Sequence, residues 1–330
     1  MQTRQTGCPE ASGPLNNVRS SDQYAPNICE QVRTVEDVPD QTYSKYYGKD
    51  IPSTQEMANN VSFEFANSNA LLESPIPTTP RIRYIGGINV PTPKKLNEEF
   101  DYLLNSRRAG AVIISFGSQV KADGIPPNVV ESFVAAAEAF PEYTFIWKYE
   151  REIHNKPANL NTTTWLPQTD LLFDTRVHAF ISHMGMNSFM EAAYGGVPLL
   201  CIPLFADQFH NAHAVAQLGL GVVVRKTEVT PDNVINGLKQ ILNDENGYRS
   251  RSRKNARMLK AIPGSPKRIF VETMEFAAQF EHLHERLRLP GGDLYFWQHV
   301  GYDAILILFV LSVLVYHKTL SAAPTSTGIA

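Results

Sequence analysis

Five short runs of β-prone apolar residues recur through the middle of the chain, at Ala111–Ser115, Thr144–Trp147, Val177–Ser182, Val197–Ile202 and Val222–Arg225, with longer helical stretches between them. That alternation is the strongest constraint on the fold. A strand reaches a parallel neighbour only through a crossover, and crossover helices then cover both faces of the sheet. The pattern predicts an α/β fold built on a doubly wound parallel sheet. Asn128 to Phe140 is one such crossover, with Val129, Val130, Phe133, Val134, Ala137 and Phe140 at helical spacing on one face. Thr230-Pro231 opens another, carrying Val234, Leu238, Ile241 and Leu242. Arg249 to Lys260 reads as a basic surface helix with a solvated face. Pro266 to Leu289 reads as one long amphipathic helix through Ile269, Phe270, Thr273, Phe276, Ala277 and Phe280.

Open sheets of this kind bind ligands outside the carboxyl ends of their strands, and polar side chains gather at those ends here. After the run closing at Ser182 come His183, Gly185, Asn187, Ser188 and Glu191, which open a helix; Asp207 and Gln208 follow the run closing at Ile202. A strand that feeds a helix start turns unpaired N–H groups and the positive end of the helix dipole outward, which suits a pyrophosphate. His183, Asn187 and Ser188 add side-chain donors. Glu191, one turn further on, shares their face and can accept from both hydroxyls of a ribose. Upstream, Trp165 offers a flat apolar ring to a uracil, and the Gln168 amide can read the edge of that base. Asp207 and Gln208 suit sugar hydroxyls. Each residue alone also has a plain structural explanation: Asn187 and Ser188 as helix caps, Asp207 as the cap of the following helix, Trp147 as a core ring. Their order along successive strand ends favours the site.

Composition narrows the alternatives. With 30 basic against 33 acidic side chains, near-neutral charge argues against nucleic acid as a partner. Cys8, Cys29 and Cys201 are scattered and form no metal spacing. His210 and His213 stand at i, i+3 without a third ligand. Gly219-Leu-Gly221 precedes a strand, so it is a turn and not a dinucleotide fingerprint. With no Asp-x-Asp motif, neither a metal nor a cofactor is expected.

Trp165-Leu-Pro-Gln168, Phe180-Ile-Ser-His-Met-Gly-Met-Asn-Ser188, Glu191-Ala-Ala-Tyr-Gly-Gly-Val-Pro198 and Pro203-Leu-Phe-Ala-Asp-Gln208 together resemble the signature of the UDP-glycosyltransferase family, within it the membrane-bound UDP-glucuronosyltransferase group. The likeness runs from about Tyr46 to Tyr316 and includes Phe116-Gly-Ser118 and Tyr143 to Glu150. It implies the Rossmann-like C-terminal half of a GT-B glycosyltransferase. It further implies that Trp165 stacks the uracil, Gln168 supports it, Glu191 holds the ribose, Ser118, His183, Gly185, Asn187 and Ser188 surround the diphosphate, and Asp207 and Gln208 hold the sugar. One departure is Met184, where the family has Gly or Ala; it bears on how closely the backbone can approach there. The implied partners are a UDP-sugar donor, a small lipophilic acceptor, a membrane, and a second copy or another chain in an oligomer. The implied reaction is inverting transfer of a glucuronosyl or glucosyl group to a hydroxyl. The family's catalytic base lies in an N-terminal acceptor domain, and no His here takes that role, so the competing reading is a non-catalytic, membrane-anchored donor-binding or partner subunit.

The expected organisation is a polar, Pro- and Asn-containing extension without apolar periodicity over 1–42, a remnant of the acceptor domain over 43–80, the donor-binding domain over 81–290, a juxtamembrane segment over 291–299, a transmembrane helix over 300–317 and a tail over 318–330. The Pro-containing segment Val90 to Lys95 reads as an interdomain linker. The opening residues are no signal peptide. The family resemblance places the globular part in the lumen of the endoplasmic reticulum, given a signal upstream. Asn60-Val-Ser and Asn161-Thr-Thr are glycosylation sequons that would mark that side.

Overall fold

The computed structural model describes residues 41–48, 50–73, 77–118, 120–244, 246–287 and 301–321. These fall into two compact units. The smaller, drawn from residues up to 62 and from 282 onward, contains helices α1 (41–47), α2 (Thr54–Asn59), α11 (Leu283–Leu287) and α12 (Tyr302–Ser321). Over the described residues, no helix is long and apolar enough to cross a membrane. The expected extension lies almost wholly outside the described residues, as does the juxtamembrane segment.

The larger unit, Phe63–Glu281, holds two sheets. Strands β1 (Glu64–Ala66) and β2 (Ile82–Tyr84) form a parallel pair. The main sheet contains β3 (Ala111–Ser115), β4 (Thr144–Lys148), β5 (Leu160–Thr163), β6 (Val177–Ser182), β7 (Leu199–Cys201) and β8 (Gly221–Val223). Its order is β5-β4-β3-β6-β7-β8, and every pair is parallel. Counted from β3, that is the 3-2-1-4-5-6 order of a dinucleotide-binding sheet, whose direction reverses between β3 and β6. The expected doubly wound parallel sheet is thus present, with its ligand crevice fixed at the tips of those two strands.

Alternation along each strand builds one core on each face of the sheet. Ala111 and Ile113, Phe180, Leu199 and Cys201 face one way, with α5 (Gln168–Leu172), α6 (Met186–Gly195) and α7 (Gln208–Leu218). Val112 and Ile114, Ala179 and Ile181, and Leu200 face the other, with α4 (Pro127–Ala139) and α8 (Pro231–Leu242). Period-two burial of β-branched and aromatic side chains holds the register, because a slip of one residue would exchange the two cores. The end of α4 is tied down by Asn159, whose buried amide donates to the Ala137, Phe140 and Tyr143 carbonyls at 2.9, 3.0 and 3.0 Å.

Several expectations shift. β5 has one buried residue, Leu160, and lies at the sheet edge, so hydrophobic periodicity does not reveal it. The division expected between residues 80 and 81 falls inside the β1–β2 pair, and the compact unit begins at Phe63. The Val90–Lys95 segment is docked, since the Lys94 N–H donates to Asp170 at 2.6 Å. The basic helix α9 (Tyr248–Ala261) buries Ser252, Asn255, Ala256 and Leu259. It approaches α6 closely because Gly196 has no Cβ, which would stand 3.2 Å from Ala256. The long helix is broken: α10 (Pro266–Gln279) ends before α11, with His282 at φ +57° between them. α10 rests on the small sheet through Phe270 on Phe65 and Phe276 on Phe63, with ring centroids 4.8 and 6.2 Å apart.

Candidate functional site

The crevice is entered from β6. Its last residue, Ser182, accepts from the Met184 N–H at 3.1 Å, which curls the chain into a left-handed turn at Met184, φ +69°. A non-glycine residue costs roughly 1 kcal/mol in that conformation. Met184 is fully buried, and its side chain packs in the core on the α6 face of the sheet.

The turn places His183 between two glycines. A Cβ on Gly117, φ +76°, would stand 2.8 Å from the imidazole, and one on Gly185 would stand 2.6 Å from Nε2. These two positions admit the ring because they lack side chains. His183 is 8% exposed and its Nδ1 is buried without a hydrogen bond of good geometry. Burial lowers its proton affinity below the ordinary histidine value, against opposing pulls from the Ser115 backbone and the Asp207 carboxylate. At neutral pH the ring is therefore uncharged, a neutral hydrogen-bonding group.

α6 begins directly after Gly185, and no side chain caps it. Asn187 and Ser188 are therefore not caps. The N–H groups of its first turn have no intrahelical partners and carry the positive end of the helix dipole. Ser188 accepts from Gln168 Nε2 at 3.1 Å. Glu191, one turn on, receives Gln168 Nε2 on one carboxylate oxygen and Thr169 Oγ1 on the other, the latter at 2.8 Å. Charge-assisted bonds at both oxygens fix the carboxylate, and each oxygen retains a second lone pair for a ligand hydroxyl.

Trp165 is 64% exposed. Its turn is held by Thr163, whose Oγ1 donates to the Trp165 carbonyl at 3.0 Å. Leu166 anchors the same segment in the core and Pro167 precedes α5, so the indole stands free beside the helix that carries Gln168. Ser118 is exposed in the turn after β3.

The Asp207 end is arranged differently. Asp207 makes no capping bond to α7; its Oδ2 accepts from Asn211 Nδ2 at 3.0 Å, and the same nitrogen donates to the Met184 carbonyl at 2.9 Å. Gln208 is 3% exposed, and its Oε1 accepts from the Leu204 and Phe205 N–H groups at 2.9 and 3.2 Å. The Gln208 oxygen shapes the loop that presents Asp207.

Four further participants were not legible in advance. Thr169 and Asn211 act through contacts between separate elements, for which one chain offers no periodic signal. Lys148, at the end of β4, donates Nζ to the Gly117 carbonyl at 3.1 Å and brings a positive charge to that turn; its position as the polar end of the Thr-Phe-Ile-Trp run could have marked it. Asn67 approaches Asn187 at 3.5 Å. It joins Asn89, Asn187 and Glu191 around a cavity of about 10 Å³, roughly one water. That approach depends on Gly86 and Gly87, where a Cβ would collide with the Ser68 backbone and the Tyr194 ring.

Residues 25–323 match the family described as UDP-glucoronosyl and UDP-glucosyl transferase. The chain is 30% identical over 266 residues to UDP-glucosyltransferase 2 of Dactylopius coccus, covering 81% of this chain and 51% of that protein. It is 33% identical over 260 residues to UDP-glucuronosyltransferase 1A7 of Mus musculus, covering 77% and 48%. The chain thus spans about half the length of the curated relatives it matches. Among solved structures, the glycotransferase of kitacinnamycin superposes with a TM-score of 0.58 at 20% identity, covering 74% of this chain and 62% of that one; that likeness concerns the fold.

Proposed function

The chain belongs to the UDP-glucoronosyl and UDP-glucosyl transferase family, and on that premise we propose that it binds a UDP-sugar at the β3–β6 crevice and supplies the donor half of a glycosyl transfer. The acceptor is a small lipophilic hydroxyl compound, and the anomeric carbon is inverted. The observation that carries this reading is Glu191, fixed by Gln168 and Thr169 one turn past an uncapped helix start that also faces His183. In this reading the uracil lies on Trp165. Glu191 takes the ribose hydroxyls, while the α6 N–H groups, His183, Asn187, Ser188 and Ser118 surround the diphosphate. Gly185 leaves room for it, Lys148 adds charge, and Asp207 with the Gln208 loop meets the sugar. As UDP departs, negative charge builds on its diphosphate, where preorganised N–H donors act most strongly. Gln168 serves mainly by holding Glu191.

A second reading, a non-catalytic donor-binding or partner subunit that assembles with another chain, is favoured by one observation. Among the described residues of the larger unit, no histidine is hydrogen-bonded or ion-paired to a carboxylate, as an acceptor-activating base would be. Turnover of a phenol with a UDP-sugar by this chain alone would sink it. The site itself is tested by UDP titration. Glu191→Ala and His183→Ala should each weaken UDP by about 1–3 kcal/mol. Unchanged curves in folded variants would contradict the assignment.

We also propose that the chain is anchored in the endoplasmic reticulum membrane by α12. The side chains of this helix from Ile305 to Leu311 are all apolar and exposed, a surface suited to lipid contact. Of the two sequons, Asn60 is exposed at the end of α2, whereas Asn161 lies in β5 with its amide 3.4 Å from the Phe145 carbonyl. A lumenal globular part predicts a glycan on Asn60. A mass shift on glycosidase treatment, lost in Asn60→Gln, is the measurement.

A further inference from the structure

The second stretch of the smaller unit opens with His282-Leu-His284-Glu285, and short His-rich tracts are a compositional mark of metal binding. In a continuous helix His282 and His284 would point to opposite sides, about 200° apart, and could not share an ion. The break after α10 changes that. His282 takes φ +57° outside α11, so its ring reaches the side that His284 and Glu285 occupy. The two imidazole centroids stand 6.0 Å apart. One ligand atom from each of His282, His284 and Glu285 lies within 4.8 Å of the other two, and among the described residues no other three such side chains come so close.

Bonds of about 2.0–2.2 Å to a tetrahedral zinc put its ligand atoms roughly 3.3–3.6 Å apart. His282 Nδ1 and Glu285 Oε1 are already 3.6 Å apart, beyond the range of a hydrogen bond and close to the spacing of two ligands on one ion. The remaining separations have to close by at most about 1.5 Å. The His282 and Glu285 side chains are 69% and 68% exposed, so a small rotation of each meets little resistance. Two imidazoles beside a carboxylate suit zinc, whereas magnesium and calcium take oxygen ligands. Three protein ligands leave a fourth position for water.

We propose that His282, His284 and Glu285 form a zinc site, which locks the left-handed turn at the start of α11. The site does not rest on the donor reading. Zinc is titrated by calorimetry against the full chain, free of any affinity tag. The expected result is one zinc per chain, undisturbed by an excess of magnesium. His284→Ala and the isosteric Glu285→Gln should each weaken zinc about tenfold or more, since even the loss of a group behind a metal ligand costs that much. The double variant His210→Ala/His213→Ala, which removes the exposed pair on α7, should bind zinc as the wild type does. Absence of stoichiometric binding, full affinity in both His284→Ala and Glu285→Gln with native melting curves, or loss of binding in the α7 variant would each overturn the proposal.

Discussion

β6 carries a histidine at each end, and the two are prepared in the same way. His178, near the amino end, lies against Gly110 at φ +112°, and His183, just past the carboxyl end, lies against Gly117 at φ +76°. Both have a buried Nδ1 without a hydrogen-bond partner. Burial lowers the proton affinity of both, His178 to about 4, where the Arg249 and Arg253 cations push the same way. Surroundings divide them. The His178 ring meets the edge of Tyr143 at 6.0 Å, whereas His183 faces an uncapped helix start and an acidic loop. A buried imidazole with depressed basicity is thus no mark of function, because packing produces it as readily as chemistry does. The strand end decides.

That contrast can be broken by substitution. The largest effect should come from Gly110→Ala, whose Cβ would sit 2.6 Å from the Arg176 carbonyl in a backbone conformation reserved for glycine. The expected cost is about 2–3 kcal/mol in urea unfolding, with UDP affinity unchanged. Gly117→Ala should do the reverse. Its methyl displaces the His183 ring, so UDP should bind about tenfold more weakly while stability falls by only about 1 kcal/mol. Equal effects of the two substitutions on UDP binding would erase the distinction between the ends.

The smallest effect sharpens the contrast through pH. The folded-state value of His178 lies below that of an unfolded histidine, so its neutral form is the one that fits. Its contribution is complete above about pH 6.5 and is lost as pH falls from there toward 4. Thermal melting should decline through that window, and His178→Phe should flatten the decline without touching UDP titration. A slope preserved in His178→Phe would place the titrating group elsewhere.

Much of this architecture was legible in the residues. Runs such as Ala111–Ser115 and Val177–Ser182 are apolar at every position but one or two, as strands covered on both faces must be, and their alternation with helices dictates a parallel sheet. β5 was not, because an edge strand of Leu-Asn-Thr-Thr carries almost no hydrophobic signal. Nor was the break after α10, since His282 adopts a left-handed conformation that no glycine announces. The candidate site was readable as a set of residue types at strand ends, yet not as a set of bonds. Gln168, expected at a base edge, also grips Glu191; Gln208, expected at the sugar, also braces a loop through its oxygen. Both amides act across elements that only the folded sheet brings side by side.

Asn211 has a consequence beyond local packing. One amide nitrogen joins the backbone just past β6 to the carboxylate of the next loop, so the gap between these two points, the ones that would anchor a donor in the reading proposed above, is set by a single NH₂ group. It works as a ruler: a ligand whose charged middle and polar head are spaced to that gauge spans it without strain, and a shorter or longer one must release one end.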